Sequence, residues 1–136
     1  MEIVMKPIGY VKSPFKEKKE IPRQSIYAED KRAVIEIEPE LVAGIEDIEV
    51  GTYGVLLFYF HKSEGYELRT RSRNTGEVKG VFSLRSPNRP NGIGMSIVKF
   101  TSIKGNELEF EGVDMIDGTP VLDIKPYVEE LNPKLK

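Results

Sequence analysis

Gly94-Met95-Ser96-Ile97-Val98-Lys99-Phe100-Thr101-Ser102-Ile103 and Glu107-Leu108-Glu109-Phe110-Glu111-Gly112-Val113 flank Lys104-Gly105-Asn106. Both flanks are rich in β-branched and aromatic residues, and the Gly-Asn between them suits a tight hairpin connection. Working outward, Val121 to Lys125 reads as a strand that closes the series. Tyr53 to His61 is an apolar block too short for most helices and reads as a buried central strand. Ala33 to Glu38 alternates apolar and acidic residues, the pattern of a half-buried strand. Tyr66 to Arg71 alternates again, with Glu67, Arg69 and Arg71 on one face, and Lys6 to Lys12 is a short β-like run. One brief helix is expected at Pro39 to Gly44, with Pro in its first turn and Gly at its stop. Two segments, Ser13 to Glu29 and Thr70 to Lys79, lack regular patterning and are expected to be functional loops. Many short strands separated by turn signals predict an all-β, mainly antiparallel fold: a compact β-barrel with a short helix and long loops.

The 136 residues correspond to one domain, 1–136, long enough to bury a real core. No run approaches the ~20 apolar residues of a membrane-spanning helix, and Met1 to Gly9 has no secretory pattern. The chain has no cysteine, which excludes disulfides, thiol nucleophiles and thiolate-bound metals. A cytoplasmic protein without a metal is expected. Net charge is −2, so a wholesale basic nucleic-acid binder is not indicated, but the charges are segregated. Lys62 to Arg89 carries seven Lys/Arg against three Glu, and Lys12 to Arg23 carries five against two. Glu29 to Glu49 and Lys104 to Glu130 each carry eight acids against two bases. Such a distribution suits a local polyanion contact on an acidic body; ordinary solvated surface is the plainer alternative.

Arg85-Ser86-Pro87-Asn88-Arg89-Pro90-Asn91-Gly92-Ile93-Gly94 lies between two strand-like runs. Pro87 and Pro90 remove backbone donors and fix φ, so this segment cannot continue a ladder. Gly92 and Gly94 permit unusual backbone or close ligand approach. The result is a stiff loop with two guanidinium forks suited to a carboxylate or phosphate. The glycines lead into a strand, not a helix N-terminus, so a Rossmann reading fails.

The run Val81-Phe82-Ser83-Leu84-Arg85-Ser86-Pro87, continued by Arg89-Pro90-Asn91 and Ile93-Gly94-Met95-Ser96, resembles the TrmO family of tRNA (adenine-N6)-methyltransferases, also described as TsaA-like or VirR-like. Ile8-Gly9 with Ser13-Pro14-Phe15-Lys16, Ile21-Pro22-Arg23-Gln24, and Asp117-Gly118-Thr119-Pro120 continuing through Asp123 to Tyr127 match it in the same order. The resemblance implies a β-barrel homodimer that uses S-adenosyl-L-methionine. Its substrate would be N6 of threonylcarbamoyl-adenosine at tRNA position 37, in the anticodon loop. It also implies cofactor contacts at Pro22, Arg23, Gln24, His61, Lys62, Arg85, Met95, Asp117, Gly118, Thr119 and Pro120. Family members usually have Pro where this chain has Gly92.

Methyl transfer from a sulfonium needs no covalent intermediate and no metal, so alignment and water exclusion suffice. Arg23 or Arg85 suits the cofactor carboxylate, Asp117 its ammonium or a ribose hydroxyl, and Gln24 an adenine edge. Taken alone, Asp117-Gly118 is a plain turn and His61, the only histidine, a structural residue near a strand end. Candidate bases are Asp117, Asp123, Tyr127 and His61. Lys16, Lys18, Lys19, Arg69, Arg71, Arg73, Lys79 and Arg89 are the candidate RNA contacts. Two alternatives remain: a non-catalytic RNA-binding β-barrel, and an enzyme using the same cofactor on a small molecule.

Overall fold

The computed structural model describes residues 1–17 and 31–131. Its strands are β1 (Gly9–Lys12), β2 (Arg32–Ile37), β3 (Tyr53–Tyr59), β4 (Arg69–Arg71), β5 (Val78–Gly80), β6 (Ile93–Lys104), β7 (Glu107–Glu111) and β8 (Pro120–Pro126). Six of them close into one antiparallel ring in the order β1-β2-β7-β6-β3-β8, and β4 and β5 pair separately.

The opening hairpin sets this ring. Lys104 pairs with Glu107, so only Gly105 and Asn106 form the turn. Gly105 has φ +59° and, among the described residues, no non-glycine residue has positive φ, which fits a turn needing glycine at its first central position. Asn106 Nδ2 donates to the Ile37 carbonyl at 3.0 Å and Ile37 N–H donates to the Asn106 carbonyl at 2.8 Å, locking the turn onto β2.

The long β6 pairs with β3 through Ile93–Lys99 and with β7 from Lys99 onward. A register shift between Phe100 and Ser102 bends it, and another between Leu57 and Phe58 bends β3 against β8. Bulges and stagger of this kind let a twisted sheet meet its own edge. Alternation then sends Val11, Ala33, Ile35, Leu56, Phe58, Val98, Phe100, Leu108, Phe110 and Val121 inward, where all are buried. Gly54 is required here, because a Cβ would stand 2.4 Å from the Phe100 ring.

The antiparallel, mainly β fold expected from the sequence is therefore the one observed, with local differences. Pro39–Ile45 forms a 3-10 helix with Pro in its first turn. β1 begins at Gly9 and not at Lys6, and only Arg69–Arg71 of the Tyr66–Arg71 run pairs. Thr70 to Lys79 is not a plain loop: its ends form the β4–β5 hairpin. A 3-10 turn, Val81–Ser83, precedes the Arg85 loop where a strand-like run was expected. Among the described residues no helix is long and apolar enough to cross a membrane.

Candidate functional site at one end of the ring

Tyr59, the last residue of β3, pairs with Ile93, the first of β6. Everything from Phe60 to Gly92 therefore emerges at one end of the ring. β1 finishes and β8 begins at the same end, since Tyr10 pairs with Pro120. The turn Asp117–Thr119, His61, Lys62 and the Arg85 loop thus share that end.

Asp117 is fixed from three directions. The Ser13 N–H donates to its Oδ1 at 3.0 Å, Lys16 Nζ lies 3.1 Å from Oδ2, and its own N–H donates to the Phe15 carbonyl at 2.6 Å. The Ser13 backbone bond, followed by the Lys16 bond and charge, holds the Asp117 carboxyl below the usual carboxylate range. Gly118 follows with φ +82°, and its N–H donates to the Val11 carbonyl at 2.7 Å. A Cβ there would stand 3.6 Å from His61 Nε2, an ordinary contact distance, so the turn and the imidazole face each other across a gap one methyl group wide. Thr119 is buried and spends its hydroxyl on the Ile116 carbonyl at 2.6 Å, which stabilises the turn. Ser13 was not foreseen as a site residue. Its hydroxyl accepts the Phe15 N–H at 3.0 Å, a local turn for which Ser13-Pro14 was the available signal.

The Arg85–Gly94 loop is held by its own groups. Arg89 Nη1 donates to the Leu84 carbonyl at 2.9 Å and to the Ser86 carbonyl at 3.2 Å. The loop returns to the ring where the Phe60 N–H donates to the Gly92 carbonyl at 2.8 Å, one residue before His61. Arg85 is exposed. Neither Gly92 nor Gly94 has positive φ; Gly94 is small because Phe58 and Phe60 press on it.

The remaining candidates are dispersed. Met95 is on the outer face of β6, paired with Leu57, and Asp123 is on the other side of Leu57. Asp123 pairs with Lys125 at 3.1 Å and accepts the Ile124 N–H at 2.9 Å. Tyr127 lies at the opposite end of the ring, where its N–H donates to the Tyr53 carbonyl at 3.1 Å. Arg69 and Arg71 share one face of the β4–β5 hairpin, and the register puts Lys79 on the other. Arg69 donates to the Val78 carbonyl, Arg71 to that of Gly76, and Lys79 pairs with Glu77. Arg73 is exposed between the two strands. Pro22, Arg23, Gln24, Lys18 and Lys19 lie outside the described residues.

A closed antiparallel ring with the Asp117–Thr119 turn, His61 and the Arg85 loop at one end defines a class: a small closed β-domain that carries its polar loop residues at one rim. Residues 10–132 match the tRNA-methyltransferase O N-terminal domain, and the chain belongs to that family. It is 43% identical to a probable S-adenosyl-L-methionine-binding protein of Pyrococcus abyssi, covering 96% of this chain and 71% of that one. It is 38% identical to the tRNA (adenine(37)-N6)-methyltransferase of Mus musculus over 94% of this chain, which spans 31% of the mouse protein. The crystal structure of TrmO from Pseudomonas aeruginosa superposes with TM-score 0.81 at 40% identity; it covers 97% of this chain, which spans 59% of that one.

Proposed function

We propose that this chain is a cytoplasmic, S-adenosylmethionine-dependent tRNA methyltransferase acting as a homodimer on N6 of threonylcarbamoyl-adenosine 37, with residues 1–136 as its single domain. The observation that carries the reading is that the Asp117–Thr119 turn, the only histidine and the Arg85 loop stand together at one end of the ring. They fit the cofactor chemically: the carboxylate suits an ammonium or ribose hydroxyl, and the exposed Gly118 lets a ligand approach the backbone of the turn. Arg85 is exposed at the same end for the ligand carboxylate, and the family resemblance adds Lys62, Met95, Pro22, Arg23 and Gln24 as cofactor contacts.

S-adenosylmethionine, when bound, supplies a methyl on a positively charged sulfur. The chain's part is to bind, orient and exclude water. Asp117 is a poor proton acceptor, because its partners favour the ionised form. His61 at the same gap takes the acceptor nitrogen's proton. His61→Asn should then lower kcat by roughly 10²–10⁴-fold at saturating cofactor, a loss larger than any change in cofactor affinity read by calorimetry.

Labelled cofactor incubated with tRNA bearing the modified adenosine tests the activity. Label at N6 is expected; cofactor binding without transfer to any tRNA would overturn it. A second reading, methylation of a small molecule, is favoured by one observation: Arg69, Arg71 and Arg89 each donate to carbonyls of their own loops. Neutralising Arg69, Arg71 and Arg73 together separates the readings. Weakened tRNA use with a shallower salt dependence supports the first, since each duplex phosphate contact contributes about 0.9 to the log–log slope.

A further inference from the structure

Ser96 is a polar residue in an apolar interior. It is 4% exposed on the inward face of β6, with Gly94 and Val98 as its inward neighbours. Its Oγ lies 2.7 Å from Oδ1 and 2.8 Å from Oδ2 of Asp114, in the connection between β7 and β8. A buried hydroxyl and a half-buried carboxylate are costly to keep unless they bond. An apolar pair would fill the same interior without that requirement.

The bond's place explains what it does. The β7–β8 connection runs from Gly112 to Thr119 and carries the Asp117–Gly118 turn. Its far end is tied to β1 and the residues after it, through the Gly118–Val11, Asp117–Phe15 and Ser13–Asp117 bonds. Its near end is tied to β6 through Asp114 and Ser96. Met115 and Ile116, both buried, span the interval and leave it little slack. Besides that bond, the near end has the Gly112 N–H bond to the Lys31 carbonyl at 3.1 Å, but that lies two residues further from the turn than Asp114 does.

We infer that Asp114 is a positioning residue and Ser96 its anchor: their bond sets the Gly118 turn at the distance from His61 that keeps the cofactor gap open. The inference rests on the S-adenosylmethionine reading of that gap. A hydroxyl–carboxylate bond elsewhere on β6 serves as control: Thr101 Oγ1 donates to Glu109 Oε1 at 2.7 Å, in the half of the strand far from the site.

Five variants are compared well below their melting temperatures: Ser96→Ala, Asp114→Ala, the double variant of these two, Asp114→Asn and Thr101→Val. Calorimetry should show Ser96→Ala and Asp114→Ala weakening S-adenosylmethionine binding about tenfold. The Ser96→Ala/Asp114→Ala double variant should be no weaker than either single one, because both remove the same bond. Asp114→Asn keeps an acceptor oxygen and should retain most of the affinity; Thr101→Val should lose stability alone. The proposal is overturned if Ser96→Ala lowers the melting temperature as Thr101→Val does and leaves affinity unchanged. Amide signals of Asp117 and Gly118 and the His61 ring signals in ligand-free protein give a second readout. They should move in Ser96→Ala and stay in Thr101→Val; unmoved signals also overturn the proposal. A wild-type chain that binds no S-adenosylmethionine would defeat the functional reading, and these signals would still decide the positioning role.

Discussion

A methyl group added at Gly94 has no room, whereas one added at Gly92 does. At Gly94 the new carbon would lie 2.5 and 2.6 Å from Phe58 ring atoms and 2.7 Å from Phe60. Those rings pack edge to face with centroids 5.4 Å apart and cannot both retreat. Gly94→Ala should therefore cost roughly 1–3 kcal/mol in urea unfolding, as overpacking does. At Gly92 the nearest atom is 3.5 Å away and φ is not positive, so Gly92→Ala should stabilise by about 0.4–1 kcal/mol through the unfolded chain. The two glycines of one motif thus have different reasons. Sequence shows the spacing but not the rings facing it, so close ligand approach was the natural expectation. Asp117 gives a pH prediction at the same scale. Its folded pKa is lowered, so its contribution is complete above the ordinary carboxylate value and fades as pH falls through the depressed one. Melting temperatures of wild type and Asp117→Asn should differ at neutral pH and converge at strongly acidic pH.

At the level of elements, the Arg85–Gly94 loop shows what its stiffness consists of. Two prolines were legible in the sequence, and a guanidinium available to an anion was the expectation. Arg89 instead closes the loop on itself through the Leu84 and Ser86 carbonyls. Arg89→Ala should accelerate amide exchange at Asn88 and Asn91 by about tenfold or more, with global melting little changed, because local opening is separable from global unfolding. Exchange confined to its wild-type rate would mean that the prolines alone hold the loop. The ring strands were legible because each has one buried face, so period-two alternation is written into residues such as Ala33 to Glu38. Of the β4–β5 hairpin only β4 was, within the alternating Tyr66 to Arg71 run; β5 and the pairing were not. Its residues are exposed or half-buried, and its pairing rests on backbone bonds and on Ser72, whose hydroxyl accepts the Asn74 N–H at 3.2 Å. Without a core to face, no apolar period marks β5.

On the scale of the molecule, the outer face of the ring is not uniformly polar. Along β3 and β6 the register sets Tyr59 opposite Ile93, Leu57 opposite Met95, and Val55 opposite Ile97. Ile93, Met95 and Ile97 are 40%, 48% and 44% exposed, and Tyr59 is 45% exposed. Contiguous apolar rows of this kind mark contact surfaces on soluble proteins, and the Asp123–Lys125 pair on β8 supplies a polar rim. The proposed homodimer has its most suitable interface here, as a two-fold pairing of this face with itself needs no second patch. Burial of about 800 Å² per partner would make it stable. Ile97→Lys places a charge at the centre of that row without touching the gap beside His61. Sedimentation at micromolar concentration should give a dimer for wild type and a monomer for the variant, with the far-ultraviolet spectrum unchanged. If Ile97→Lys sediments as the wild type does, the dimer uses another face. A monomeric variant that still binds S-adenosylmethionine would place the cofactor gap within one chain; one that has lost binding would mean that the second copy completes it.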